Sequence, residues 1–298
     1  MTESPATLDG LYIPAGTGAA DGWSLVITPE TAGWQYAGLR IAELAPGGSI
    51  AHATGEDEAI VLPLAGSARV TCDGQVVELA GRDSVLSGPT DFAYLPRDAS
   101  VVIESDPGGR IALATARAER RLGFRRRTAA DVPIELRGAG ACSRAVRNFA
   151  AASAFEAERL IAVEVVTPGG NWSSYPPHKH DEDRPTEAIL EEIYYYEIAA
   201  GPGGPGVGYQ RAYGSPGRPL DLLVEVRDRD AVLIPHGWHG PSMAVPGYDM
   251  YYLNVMAGPG PERAWRITDD PAHAWVRDTW ATQAVDPRLA AAPPDPPS

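Results

Sequence analysis

The chain has 298 residues, 25 basic and 39 acidic side chains, a formal charge of −14 and 44% hydrophobic residues. A chain this long buries about three-quarters of the surface it exposes when unfolded, so it fits two domains or one large one and needs no disulfide staples. The acidic excess opposes a phosphate backbone or anionic membrane, no uncharged run reaches the ~18 residues of a membrane span, and MTESPATLDG is not a leader; a cytoplasmic protein without nucleic-acid or membrane partners is expected.

In chain order, short β-type runs come first: Trp23 to Thr28, Leu39 to Leu44, Ala68 to Cys72, Val76 to Leu79, Val101 to Glu104 and Ile111 to Thr115. Gly, Pro and Asp punctuate them, and the long helical segments that parallel βαβ units require are missing, so an antiparallel sandwich or barrel is predicted. Next comes ARAERRLGFRRRTAADVPIELRGAG, an Arg-rich connector without the aromatic interleaving of a nucleic-acid surface. It marks the domain junction. A second β-rich block follows, with Leu160 to Val166, Glu192 to Glu197, Val207 to Tyr213, Leu222 to Val226, Ala231 to Ile234 and Met250 to Met256. Asp270 and Pro271 look like an N-cap and first helical position for a short helix over Ala272 to Trp280. The AAPPDPPS end is expected to be disordered. Cys72 and Cys142 have no metal or redox spacing and read as reduced thiols.

Four of the six His lie between positions 178 and 239. His178 and His180 are one residue apart, so on an extended strand both imidazoles project from one face and can converge on a metal ion. Alone, such a pair fits a surface loop equally well. Two further features favour the metal. Glu192 opens LEEIYYYE and shares its strand face with Tyr194 and Tyr196, whereas Glu191 faces away as a surface carboxylate. RDRDAVLIPHGWHGP then brings His236 and His239 on a rim loop. Three imidazoles and a carboxylate leave positions open for substrate, which is a catalytic rather than a structural shell.

An HxH, a Glu and a downstream proline-led motif ending in His resemble the cupin superfamily, although Glu192 comes late after His180 and PHGWH is one residue short. Both departures, with NWSSYPPHKHDE, LEEIYY, VLIPHGWH, PGYDMYYLNVMAGP and DPAHAW, are similar to the 5-deoxy-glucuronate isomerase (IolB) family over most of residues 135 to 280. That resemblance implies an all-β bicupin, in agreement with the two blocks; with the junction and ligand pattern read from the residues, the expectation is a degenerate, metal-free cupin over residues 1–128, a catalytic cupin over 129–282 and a disordered tail over 283–298. The resemblance implies one divalent ion per chain, zinc or manganese, on His178, His180, Glu192 and His239. His236 departs from the family and reads as a rim residue, with replacement of His239 as the other role. In the first block, His52 and Glu58 stand near a first-motif position, but no second His follows and LPRDAS lacks one.

Lys179 is the only lysine, and fits either an interface or substrate contact. Arg211, flanked by Tyr209 and Tyr213, suits a substrate carboxylate or a structural ion pair. Tyr175, Tyr252 and Asn254 are further polar candidates, each with a satisfied core role as the alternative. Glu192, a tyrosinate (Tyr175 or Tyr252) or a metal-bound hydroxide could be the proton-transfer base.

The resemblance implies a metal-dependent aldose–ketose isomerase converting 5-deoxy-D-glucuronate to 5-dehydro-2-deoxy-D-gluconate in inositol catabolism, as a homo-oligomer. No dinucleotide turn or phosphate loop is present, so no nucleotide cofactor is expected. The rivals are a cupin dioxygenase, because the same shell suits iron or copper, and a non-catalytic sugar-binding bicupin.

Overall fold

A computed structural model describes residues 10–290. Antiparallel strands dominate, in three sheets of nine, seven and six strands. The nine-stranded sheet runs from Leu25–Ile27 to Arg125–Arg127 and curls into a first barrel. Its longest strand, Asp57–Cys72, pairs with Gly109–Arg117 and Phe92–Leu95 along its first part, then with Gln75–Arg82 and Ser100–Ser105. The strand bends between these partners, at register shifts flanking Gly66. Gly66 has φ of +81°, and a Cβ there would lie 2.3 Å from the Gly108 carbonyl oxygen, so only glycine fits the corner.

The seven-stranded sheet lies with one face against the first barrel and the other toward the six-stranded sheet, giving a second barrel. Strand alternation sorts its side chains. Tyr194 and Tyr196 point into the second barrel, whereas Ile193 and Tyr195 join Ile60, Leu62 and Tyr94 in an apolar layer between the halves. Ion pairs cross that layer: Arg82 to Glu164, which also accepts from Tyr251 Oη at 2.8 Å, and Arg110 to both oxygens of Glu197. Buried charges persist in an apolar layer when paired in this way.

Several expectations need correction. Tyr12–Ile13 does not stay with the first block; it pairs with Ala231–Ile234 at the edge of the seven-stranded sheet, with Tyr12 Oη donating to Asp230 at 2.6 Å. Glu191 is no free surface carboxylate, because it accepts the backbone N–H groups of Gln35, Tyr36 and Ala37. The tail expected over 283–298 is tied down as far as 290. Asp286 accepts from Asn171 at 2.9 Å, Ala284 O accepts from Gly140 N–H, and Pro287–Ala290 is helical; 291–298 lie outside the described residues. Asp270 does cap Ala272, at 2.9 Å, but turns follow and the helix is only Val276–Thr279. No described helix is long and apolar enough to cross a membrane.

Candidate metal centre

The second barrel's interior gathers the histidines. His178, on the short strand His178–Lys179, stands directly opposite His239 on Trp238–Ala244, which is a strand rather than the expected rim loop. Glu192 enters from the facing sheet, on Glu191–Ile198. His180 follows the short strand and is anchored by its Nδ1 on the Leu190 carbonyl at 3.0 Å. One Glu192 oxygen, Oε2, lies 3.0 Å from both His180 Nε2 and His239 Nε2, and the ligand atoms of these three residues all fall within 4.8 Å of one another. The His178 ring stands 4.4 Å from that of His239. All four side chains are buried.

The donor set fits a cation. Each of the three imidazoles directs Nδ1 at a backbone carbonyl, of Pro176, Leu190 or Gly237, at 3.0–3.4 Å. A proton placed on Nδ1 by that partner leaves Nε2 as a lone pair facing the centre, the outer-shell arrangement of metal-bound histidine. Among the described residues His239 Nε2 is accordingly a buried atom without a hydrogen-bond partner, despite its nearness to Glu192. Burial pushes His178 well below its ordinary value, and His239 adds to this. Burial alone would raise Glu192, but His239 and His180 overcome it and hold the carboxyl well below the usual range. In His180 burial is in turn overcome by Glu192, and the ring is raised. A neutral His178 and an ionised Glu192 are the ligand forms a metal requires.

The cluster opens onto a cavity of about 180 Å³, smaller than the roughly 300–1,000 Å³ of drug-sized pockets and suited to a small polar ligand. His178, Glu192, Tyr252 and Asn254 line it. Tyr194 and Tyr252 both place Oη 3.1 Å from Ser174 Oγ, and burial raises both phenols. Among the described residues, Asn254 Nδ2 and Trp265 Nε1 are buried donors with no partner.

Other expected site residues lie elsewhere. Arg211 projects outward from Val207–Ser215, ion-paired with Asp221 and bonded to the Leu222 carbonyl; Gln210 and Ala212 face inward instead. Lys179 points to the opposite face from the histidines, as alternation requires, and donates to Asp181 and Glu187 at 2.7 Å each, beneath the Trp238 ring. The single lysine therefore folds the acidic DEDRPTEAILE insert onto the barrel. His236 is half-buried beside Arg218 and Asp181, outside the cluster and the cavity lining. Tyr175 packs its ring against Trp172 and His273, also outside that lining. Sequence reasoning missed Arg137, Arg144, Trp265 and Arg277, which do line it. No motif or spacing marked them.

The profile of the KduI/IolB family matches residues 11–276. A 5-deoxy-glucuronate isomerase of Geobacillus kaustophilus is 38% identical over 274 residues, covering 90% of this chain and 96% of the relative. The enzyme of the same name from Bacillus subtilis strain 168 is 37% identical, covering 84% and 91%. Among solved structures, an IolB-like protein from Salmonella typhimurium LT2 superposes with a TM-score of 0.82 at 34% identity, covering 89% of this chain and 98% of that one. Lactobacillus farciminis oxalate decarboxylase shares the fold at a TM-score of 0.61 and 12% identity, covering 89% of each chain. Two barrels packed through an apolar layer, a histidine cluster confined to the second, and matches that run almost end to end agree with one another: the chain is a bicupin and belongs to the KduI/IolB family.

Proposed function

We propose that the protein isomerises 5-deoxy-D-glucuronate to 5-dehydro-2-deoxy-D-gluconate, an aldose–ketose conversion, in the second barrel. The observation that carries this reading is a buried carboxylate with one oxygen 3.0 Å from Nε2 of both His180 and His239, and with the His178 ring stacked edge-on against His239, at the base of a small polar cavity. Family membership and the names of the relatives support the substrate. A divalent ion, zinc or manganese, held by His178, His180, Glu192 and His239 would supply Lewis-acid polarisation of the aldehyde and its neighbouring hydroxyl, making the C–H between them acidic.

The chain's own groups do the rest. Tyr252 and Tyr194, whose phenols burial raises, place their hydroxyls beside Ser174 and serve as hydrogen-bond donors toward a substrate oxygen. Asn254 Nδ2 and Trp265 Nε1, lacking partners among the described residues, suit sugar hydroxyls or carbonyls.

Anaerobic turnover in heavy water, followed by proton NMR, tests the reading. Ketose formation, deuterium at the carbon that receives the proton, and loss of turnover on chelation with recovery on adding the ion are expected. Oxygen uptake with an oxidised product, or ligand binding without turnover by the metal-loaded protein, would overturn it in favour of a dioxygenase or a binding protein.

A further inference from the structure

The cavity wall holds three arginines, and their charges are not equivalent. Arg137 makes a two-bonded pair with Glu135, at 2.9 and 2.7 Å. Arg277 is likewise held by both oxygens of Asp269. Arg144 has no such partner. Only 5% exposed, it donates from Nη1 to the carbonyls of Cys142, at 2.9 Å, and Tyr175, at 3.4 Å, and rests over the Trp280 ring. Among the described residues no carboxylate lies within ion-pairing distance of it, and Nε and Nη2 make no hydrogen bond.

That arrangement is costly in three ways. An uncompensated buried cation loses solvation without recovering it. Arg144 stands directly across the strand pair from Arg137, a like-charge juxtaposition that sheets avoid. Burial brings its guanidinium down to about 10, and Arg137 and Arg277 add to the effect; it remains charged at neutral pH. Other arginines show how the same chain resolves the problem: buried Arg147 donates to the Val85 carbonyl at 2.7 Å and lies 3.7 Å from Glu164. Arg82 and Arg110 have Glu164 and Glu197, and Arg263 satisfies Nε, Nη1 and Nη2 with three carbonyls. Arg144 alone among these is left with a free donor edge in a wall of the cavity that also contains His178 and Glu192.

We propose that Arg144 is the carboxylate-binding residue of the site: its free Nε/Nη2 edge takes the terminal acid of the substrate in a bidentate contact, and this selects aldoses carrying an acid at the end remote from the reacting carbons. The inference rests on the isomerase reading for the identity of the substrate. The role expected of Arg211 thereby passes to a residue on another strand. A carboxylate in this position restores the missing counter-charge, so its binding is strongest for a planar anion and weak for a neutral group of the same size.

The test uses the full-length, metal-loaded chain with Arg144→Met and Arg144→Lys, after metal analysis and circular dichroism establish that the ion and fold are retained. Steady-state kinetics are compared on 5-deoxy-D-glucuronate and on its counterpart with a primary amide in place of the carboxylate. Arg144→Met should lower kcat/KM on the acid at least a hundredfold, chiefly through KM, and leave the amide nearly unaffected; Arg144→Lys should recover part of the loss. Equal losses on both substrates, or an unchanged KM on the acid, would overturn the proposal and leave the isomerase reading standing. Should the wild type turn over neither compound, that reading fails by itself, and calorimetry with the aldehyde-reduced acid decides the present one. At least tenfold tighter binding to wild type than to Arg144→Met supports it, and equal affinity overturns it.

Discussion

Each barrel contributes a buried glutamate from a central strand, and the two are used in opposite ways. Glu58 points into the layer between the halves, where it accepts from Tyr94 Oη at 2.6 Å and from the backbone N–H groups of Glu158, Arg159 and Leu160 at 2.6–2.8 Å. Every donor around it is fixed, and both oxygens are bonded. Glu192 points into a barrel and faces imidazoles whose other nitrogens are already committed to carbonyls. The first environment is complete without a ligand, whereas the second leaves lone pairs converging on an anion. Burial of a carboxylate therefore marks a site only when its neighbours remain unsatisfied.

Exchanging the effects of the two glutamates is the sharpest way to break this comparison. Loss of an outer-shell partner commonly costs 10–100-fold in metal affinity or activity, so Glu192→Gln or His239→Ala, which remove proposed ligands, should cost more than about a hundredfold in turnover. Metal analysis should show the ion largely lost and thermal unfolding should change little, because the apolar layers do not depend on it. Full metal occupancy in both variants would remove the ligand assignment. Glu58→Gln should do the reverse. It sets an amide against inward-pointing N–H groups and should lower unfolding free energy by on the order of 3 kcal/mol in a denaturant titration, with metal content and turnover per folded molecule unchanged. A drop in kcat at full stability would show the halves to be functionally coupled.

The smallest effect concerns pH. His52, edge-on to Trp23 in the first barrel, is lowered from 6.5 to about 4 by burial, with Arg40 adding to the shift. Its folded value lies below its unfolded one, so between those limits the unfolded chain binds a proton that the folded chain refuses. Stability from this group is full above pH 6.5 and declines as pH falls toward 4, by about 2 kcal/mol after allowance for partial exposure. Stability measured from pH 7 to 4.5 should fall less steeply in His52→Gln than in the wild type. Identical slopes would remove His52 from the account.

The fold was legible where apolar runs alternate without interruption. Ala231–Ile234 and Met250–Ala257 coincide closely with their predicted ranges, and the parity of Glu192, Tyr194 and Tyr196 follows from alternation alone. Arg144–Ala150 escaped notice because Arg144 and Arg147 are buried within it and a register shift follows Arg147, which together erase the period-two pattern. The arginine that faces the cavity was hidden for that reason. Arg211 was misplaced by the opposite effect: Tyr209 and Tyr213 look like the inward set, yet the crowded interior takes Gly208 and Ala212, and a Cβ on Gly208 would meet Met250 Sδ at 2.8 Å. The clustering of His180 and His239 about Glu192 was legible because the motif spacing is local and few other His compete with it.

The two residues Tyr12 and Ile13 also impose an order on synthesis. They complete an edge whose other side, Ala231–Ile234, is about 218 residues further along, and Leu11 and Asp230 fasten the junction. At ribosomal rates of about 5–20 residues per second, that partner emerges roughly 10–45 s after the segment that needs it. The strand Tyr12–Ile13 therefore waits, without that partner, while the first barrel forms behind it, and it is seated only when the second barrel closes. Once seated, it makes one segment a reporter on another: a protease that clips near Tyr12 reads whether the distant sheet has assembled.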